Sequence, residues 1–188
     1  LICDLCKTWT MKDDFSYEFR IRDDVYWHSN RDMRKRRLSP ADLIYSYNRI
    51  MTEGWSRANL YQDKGIDTFT SSSEYLLTVH TRFHDNDALL SLADASSKIV
   101  AHEIVDKYGD LKNSPVVGTG PWLWENTLRG IGSEFTANPD YFDAPVRENS
   151  RSWMNIVFRL PSEELEQKFI SEAKTEGLIG FKGHRSVG

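Results

Sequence analysis

The sequence predicts an α/β protein, because strand patterns and helix patterns follow one another along the same chain. Apolar residues recur at every second position from Phe15 to Ile21, which places them on one face of a strand. An amphipathic helix is predicted from Ser39, and a second alternating run covers 75–81. With 188 residues, the chain can bury about 70% of its unfolded surface, enough for one core or two intimate subdomains.

The helix after Ser39 has the clearest local signal. The Ser39 hydroxyl can cap the first amides, Pro40 takes the first helical position, and Asp42 stands three residues after the cap. We expect the helix to end near Gly54. Its buried stripe is predicted from apolar residues spaced by three and four: Leu43, Ile44, Tyr47, Ile50 and Met51.

The other predicted elements are shorter. The polar, basic segment between Ser29 and Arg37 is predicted to be a solvated loop, with contact to a partner protein or an anionic surface as the alternative. After an irregular connection, the predicted elements are a hairpin of 66–70 and 75–81 with its turn at 71–73, helices around 89–92 and 102–108, and a short strand at 98–101. A second hairpin (122–126 with 131–137), a strand at 153–160 and a helix from Pro161 complete the series.

Composition excludes several classes of function. The hydrophobic fraction of 39% and the charged fraction of 28% are typical of a folded globular protein. A formal charge of -4 provides no field that would attract nucleic acid or anionic lipid. No apolar run approaches the roughly 20 residues of a membrane-spanning helix, and we expect any export signal to lie outside this sequence.

The residues with reactive side chains favour no catalytic site. Cys3 and Cys6 are interpreted as small apolar residues or as a local disulfide. A zinc site at His80 and His84, with Asp85 and Asp87 nearby, would require a shared helical face, whereas His80 ends a predicted strand. We therefore rank a metal-dependent hydrolase last, and we predict no metal and no cofactor.

The glycine-rich stretch Gly118-Thr119-Gly120 is interpreted as structural. It lacks the lysine of a phosphate loop, and Pro121 has no amide to donate to a phosphate. The two glycines are expected to adopt positive backbone angles and to lead Trp122 into the next strand. There is no Gly-x-Ser-x-Gly motif for a nucleophilic serine, so we predict that the chain is not an enzyme.

The irregular connection after the first helix holds the candidate ligand-binding residues Trp55, Arg57 and Tyr61. Aromatic rings beside polar groups on a loop are typical of the wall of a ligand cleft. Packing in the core is the alternative for the two aromatic residues.

Four motifs in order resemble one family, the family 5 extracellular solute-binding proteins, which include the peptide, dipeptide and nickel receptors of ABC importers. In chain order, the motifs are Tyr17 to His28, Leu38 to Tyr47, Val117 to Trp122 and Phe135 to Phe142. The resemblance implies a class II periplasmic-binding-protein fold, with mixed sheets covered by helices, of which this chain is part of the first lobe. Residues 1–14 and 95–182 would belong to that lobe, 15–94 to a family-specific subdomain, and 183–188 to a disordered tail.

The resemblance also implies a function without catalysis: binding a small molecule or peptide outside the cytoplasmic membrane, in the periplasm or the extracellular space, and delivering it to ABC permease subunits. Contact with the membrane would occur only through the permease or an anchor outside this chain, and no nucleic acid is expected. A regulatory or scaffold protein that keeps the fold is the alternative. Because one lobe cannot enclose a ligand, we expect weak intrinsic affinity.

Overall fold

The computed structural model describes most of the chain up to residue 143. It covers 2–143 except 53, 56, 86, 110 and 129–131, and in addition Glu164, Gln167, Lys168 and Ser171, which are helical. Two compact units can be separated, the first formed by Leu1–Glu125 with Phe135–Val146 and the second by Asn126–Glu134 with Arg147–Gly188. The predicted strand at 153–160, most of the predicted last helix and the tail at 183–188 lie outside the described residues.

The first unit contains a four-stranded antiparallel sheet with helices beside it. The elements in chain order are β1 (Cys6–Asp13), β2 (Ser16–Ile21), α1 (Pro40–Ile50), β3 (Ile66–Ser73), β4 (Leu76–Thr81), α2 (Ala88–Leu92), α3 (His102–Tyr108), β5 (Trp122–Leu128) and β6 (Gly132–Ala137). The sheet has the order β1-β2-β4-β3, and β5 pairs with β6 in a separate two-stranded sheet. Among the described residues, no helix is long and apolar enough to span a bilayer.

The hydrophobic core joins one face of the sheet to α1. Tyr17 and Ile21 of β2 and Val79 of β4 belong to it, and on α1 Tyr47 stacks on Phe69 of β3 with ring centroids 4.7 Å apart. Each fully buried side chain of this size contributes about 1.5–3 kcal/mol to folding. The stripe predicted for α1 is confirmed, since Leu43, Tyr47 and Ile50 are buried while Ile44 and Met51 pack partly buried against the core. The alternation predicted for β2 is confirmed for Tyr17, Phe19 and Ile21, whereas Phe15 precedes the strand and is 52% exposed.

The start of α1 follows the predicted capping pattern with one difference. The Ser39 amide donates to the Asp42 carboxylate at 2.9 Å, as in a capping box. The Ser39 hydroxyl also donates to this carboxylate, at 3.1 Å, because the buried Asp42 needs hydrogen-bond donors around its charge. Asp42 therefore organises both the cap and the loop that precedes it.

The prediction of a solvated basic loop is wrong for part of 29–37. The Arg36 guanidinium donates to Asp42 at 2.6 and 2.8 Å and forms a bidentate ion pair with Glu103 of α3. Asp32 accepts from the Lys107 ammonium and from the Tyr108 hydroxyl, both at 2.6 Å. Ion pairs thus attach the loop to α1 and α3. Hydrophobic periodicity in the sequence cannot predict ion pairs between residues that are distant along the chain.

The turn at Gly118 and Gly120 forms as predicted, but not for the predicted reason. Neither glycine has a positive φ; among the described residues, positive values occur at Gly54, Gly65 and Gly109. Instead, the imidazole of His28 holds the turn: Nε2 donates to the Gly120 carbonyl at 2.9 Å, and Nδ1 accepts from the Gly118 amide at 3.3 Å. The turn is fixed by a side chain that is 90 residues distant in sequence.

Three further differences concern local structure. The strand β1 was not predicted, because its side chains are almost all exposed and leave no buried alternation. The predicted strand at 98–101 is wrong: the Val100 amide donates to the Ser46 hydroxyl of α1 at 2.9 Å instead of joining a sheet. The turn between β3 and β4 lies at Glu74 and Tyr75, since β3 continues to Ser73. The other predicted helices and hairpins up to residue 137 are confirmed, except that α1 ends at Ile50 and not near Gly54.

The hairpin of β1 and β2 crosses one of the expected domain boundaries. The strand β1 pairs with β2 in register from Thr8 to Met11, so a single hairpin spans the junction expected between residues 14 and 15. The register shifts at both ends of this run, between Cys6 and Thr8 and between Met11 and Asp13. Irregular pairing of this kind discourages the free sheet edge from pairing with another chain. The division into lobe and subdomain stays a prediction.

Candidate functional site

The segment that holds the predicted ligand residues is a series of tight turns between α1 and β3. It includes a short 3-10 helix, Gln62–Lys64, and it ends at Gly65, whose φ of 79° lies in the left-handed region. A Cβ at Gly65 would lie 3.0 Å from the Phe83 carbonyl oxygen, so glycine is required both by conformation and by space. Gly65 therefore fixes the backbone conformation at the end of the segment, where it enters β3.

Tyr61 anchors this segment in the core. It is 0% exposed, and its ring makes edge contacts with Tyr47 and Phe69 at centroid distances of 5.5 and 5.7 Å. Its hydroxyl donates to the Ser97 hydroxyl at 2.8 Å, and Ser97 in turn donates to the Ser91 carbonyl at 2.6 Å. Burial raises the pKa of Tyr61 to about 12, with the Ser97 contact acting in the opposite direction. In this structure Tyr61 offers no surface to a ligand.

Trp55 and Arg57 have the opposite environment. Trp55 is 44% exposed, and the Arg49 guanidinium lies 4.1 Å from its ring centroid, a cation–π contact that orients the indole. Arg57 is exposed and lines a polar pocket of about 580 Å³. The structure therefore brings neither aromatic residue into the pocket that contains Arg57.

The pocket lies between the turn segment and α2. The residues with charged or polar side chains that line it are Arg57, Asn59, Asp63, Lys64, Asp87, Ser91 and Asp94. Most of these side chains are exposed, whereas Ser91 is buried and donates to the Ala88 carbonyl at 2.6 Å. In the sequence, these pocket residues were indicated only by the polarity of the connection and by the aspartates at both ends of α2. Aspartates at those positions could equally have been solvated helix caps.

The charges in the pocket are of both signs. Backbone and side-chain hydrogen bonds from Ser96 lower the pKa of Asp94, and the positive charge of Arg57 lowers it further. Lys64 lies 3.7 Å from Asp85, at the edge of the same region. Arginine and lysine can bind a carboxylate by donating hydrogen bonds to it, and the aspartates can bind an ammonium group by accepting hydrogen bonds from it. The arrangement therefore suits ligands that carry both charges.

The structure places His80 and His84, the residues of the zinc-site hypothesis, in different local structures. His80 belongs to β4, where its Nε2 lies 2.9 Å from the Thr70 hydroxyl, while His84 is exposed beyond the strand. Within the described part of the chain, no three His, Cys, Asp or Glu side chains are grouped so that they could hold a metal ion. Cys3 and Cys6 form a disulfide, which was one of the two sequence interpretations.

Comparison with known families identifies the chain. The sequence model for bacterial extracellular solute-binding proteins, family 5 Middle, matches residues 1–162. The chain belongs to this family. The match confirms the resemblance found in the four motifs, all of which lie within it. Members of this family are extracellular solute-binding proteins.

Solved structures show that this solute-binding protein has the fold of its family. It is similar to DppA of Helicobacter pylori in complex with the peptide STSA (TM-score 0.61, 19% identity) and to a dipeptide-binding protein of Pseudoalteromonas sp. SM9913 in complex with Met-Leu (TM-score 0.64, 20% identity). Each alignment covers 74% of this chain and 31% of the other. NikZ of Campylobacter jejuni in complex with Ni(L-His) is similar at a TM-score of 0.60 and 22% identity, covering 74% and 27%. The predicted α/β periplasmic-binding-protein class is thereby confirmed.

A shorter similarity links the chain to an unrelated class of protein. The phosphoserine aminotransferase of Ectopseudomonas mendocina is 49% identical over 49 residues, and that of Desulfatibacillum aliphaticivorans is 53% identical over 49 residues. These matches cover 26% of this chain and 14% of each enzyme. A stretch of this length is at the lower limit of an independent domain, so it supports no enzymatic assignment.

Proposed function

We propose that this chain is the ligand-binding part of an extracytoplasmic receptor of an ABC importer, with peptides as its substrates. The observation that carries the proposal is the family match over residues 1–162. Two proteins of similar fold were solved with a tetrapeptide and a dipeptide, which supports peptides as a substrate class, while a third was solved with Ni(L-His). Permease subunits in the cytoplasmic membrane would then be the protein partners.

The pocket beside the turn segment supports this substrate class. A short peptide carries an ammonium group at one end and a carboxylate at the other, which match the aspartates and the two basic residues of the pocket. The Arg57 guanidinium would donate hydrogen bonds to the peptide carboxylate. Trp55, which lies outside the pocket lining, would cover an apolar side chain that extends from the pocket, and Tyr61 would position the segment from the core. These roles for Trp55, Arg57 and Tyr61 are part of the proposal.

The expected affinity follows from the exposure of the site. Arg57, Asn59, Asp63 and Asp87 are all exposed, so a bound peptide would keep much of its surface in water. We therefore expect this chain alone to bind with a dissociation constant above about 1 µM, since much of the contact that offsets the entropy cost of association is missing.

Isothermal titration calorimetry with Met-Leu and with Ser-Thr-Ser-Ala tests the proposal. Arg57→Ala should weaken binding by about tenfold, because it removes a hydrogen bond to a charged group. Arg34→Ala, at an exposed position of the basic loop, is the matched control and should leave binding unchanged. Equal affinities of the two variants would exclude the pocket, and failure of both peptides to bind at millimolar concentration would exclude peptides as the substrate class.

A further inference from the structure

The polar pocket beside α2 contains more negative charge than positive charge. Among its lining residues, Asp63, Asp87 and Asp94 are acidic, whereas Arg57 and Lys64 are basic. Its volume of about 580 Å³ lies within the range of roughly 300–1,000 Å³ that small-molecule sites occupy. The ion pairs that these five residues already form decide which charges are left for a ligand.

Two of the five charges are already matched by other groups of the protein. The Lys64 ammonium lies 3.7 Å from the carboxylate of Asp85, which is not part of the pocket lining. Asp94 accepts a hydrogen bond from the Ser96 amide at 2.7 Å, and Arg57 supplies a positive charge near it. The positive charge of Lys64 is therefore largely neutralised, and that of Arg57 is shared with Asp94.

The carboxylates of Asp63 and Asp87 are the charges that remain. Neither side chain takes part in a hydrogen bond or an ion pair within the part of the chain that the structure describes. Both residues are exposed, so their charges are accessible from water. The charge that the pocket offers to a ligand is therefore mainly negative.

Both aspartates project from an ordered main chain. The Asp63 amide donates to the Asn59 carbonyl at 2.9 Å within the turn segment. The Asp87 amide donates to the Asp85 carboxylate at 2.7 Å, and Ala88, the next residue, is buried. The main chain at these positions does not have to become ordered when a ligand binds, which lowers the entropy cost of binding.

We propose that this pocket selects peptides that carry a cationic side chain, a lysine or an arginine, in addition to their terminal ammonium group. The inference rests on the proposed function, because it assigns a preference within the peptide class. In a peptide such as Lys-Leu, the two ammonium groups would lie against Asp63 and Asp87, and the carboxylate would lie against Arg57. Met-Leu leaves one of the two aspartates without a partner, and Glu-Leu brings a further carboxylate to them.

The expected preference is modest because both aspartates are exposed. Ion pairs between exposed groups are weak and are screened by salt. At an ionic strength of about 10 mM, we expect Lys-Leu to bind about fivefold more tightly than Met-Leu, and Glu-Leu about fivefold more weakly. At about 0.5 M salt, both differences should fall below about twofold. A preference that came from apolar contacts of the lysine stem would persist at high salt.

The test is isothermal titration calorimetry of the full chain with Lys-Leu, Met-Leu and Glu-Leu. The double variant Asp63→Asn/Asp87→Asn should bind Lys-Leu and Met-Leu equally. The double variant Asp63→Lys/Asp87→Lys should prefer Glu-Leu, a reversal that loss of the fold cannot produce. The control Asp14→Asn removes an exposed negative charge in the turn between β1 and β2, outside the pocket, and should keep the preference of the wild type.

The outcomes separate this preference from the proposed function. Equal binding of Lys-Leu and Met-Leu by the wild type would exclude the preference and leave peptide binding in place. A preference that survives in Asp63→Asn/Asp87→Asn, or that is unchanged by salt, would exclude these two aspartates as its cause. Absence of binding by all three peptides at millimolar concentration would overturn both the preference and the proposed function.

Discussion

Replacement of Arg36 by alanine should destabilise the protein far more than replacement of the exposed Arg34 in the same loop. The Asp42 side chain is 2% exposed and accepts two charge-assisted hydrogen bonds from Arg36, at 2.6 and 2.8 Å. Arg36→Ala would leave this buried carboxylate with neutral donors such as the amide and hydroxyl of Ser39 and no positive charge beside it. Loss of one partner of a buried ion pair costs about 3–5 kcal/mol. The Arg36 side chain is 30% exposed, so water can partly replace it, and we expect about 3 kcal/mol.

The assay is unfolding by heat and by urea, followed by circular dichroism. A loss of about 3 kcal/mol corresponds to a decrease in Tm of roughly 6–12 °C for a chain of this size. Arg34→Ala is the matched control, with an expected effect below about 0.5 kcal/mol. In the double variant Arg36→Ala/Asp42→Asn, the loss should be smaller than in Arg36→Ala, since no unpaired buried charge remains.

The same replacement should change the dependence of stability on pH. Burial acts to raise the pKa of Asp42, but hydrogen bonds from Arg36 and Ser39 outweigh it, and Arg36 likewise holds the pKa of Glu103 below its ordinary value. Carboxyls with lowered pKa values stabilise the fold fully above their ordinary values of 3.8 and 4.5, and this stabilisation is lost as the pH falls through the lowered values. The difference between wild type and Arg36→Ala should therefore shrink near about pH 3. Equal midpoints of Arg36→Ala and Arg34→Ala, or a gap that does not vary with pH, would refute the reasoning.

Three further predictions concern stability, each measured by urea unfolding. Gly65→Ala should cost about 2 kcal/mol, because a positive φ and a backbone oxygen 3.0 Å from the new Cβ both oppose it, whereas Gly54→Ala, with a positive φ but open space, should cost about 1 kcal/mol. Similar losses of stability in Gly65→Ala and Gly54→Ala would show that the contact with the Phe83 backbone oxygen does not matter. Tyr61→Phe should cost about 1 kcal/mol through its hydrogen bond of 2.8 Å; no loss would mean that water replaces it. His28→Ala should cost about 2 kcal/mol, and exposed His84→Ala almost nothing; equal effects would contradict the bridging role of His28.

Elements with a repeating pattern were predictable from the sequence, and contacts between distant residues were not. The stripe of α1 and the alternation of β2 follow directly from burial on one face. The strand β1 escaped prediction because an exposed edge strand has no such pattern. The position of the turn at Gly118 was predicted correctly, but its cause was not. Positive backbone angles were expected, whereas the imidazole of His28 fixes the turn.

The candidate site was predicted in its location more than in its composition. Polarity and aromatic residues pointed to the segment after α1, and Arg57 does line a pocket there. Whether Tyr61 faced the core or the solvent depended on its packing against Tyr47 and Phe69, which are remote from it in sequence. The contributions of Asp87 and Asp94 became visible only when α2 was placed beside the turn segment.

The two charged contacts between the basic loop and α3 have opposite polarity. The loop supplies an anion at Asp32 and a cation at Arg36, four positions apart, while α3 supplies an anion at Glu103 and a cation at Lys107, again four positions apart. Laying the loop on the helix in the reverse direction would set anion against anion and cation against cation. Charge thus sets the direction of the loop on α3. A sign inversion at Asp32 can be compensated by inversion at Lys107, whereas inversion at Arg36 would place like charge against Asp42 as well as Glu103.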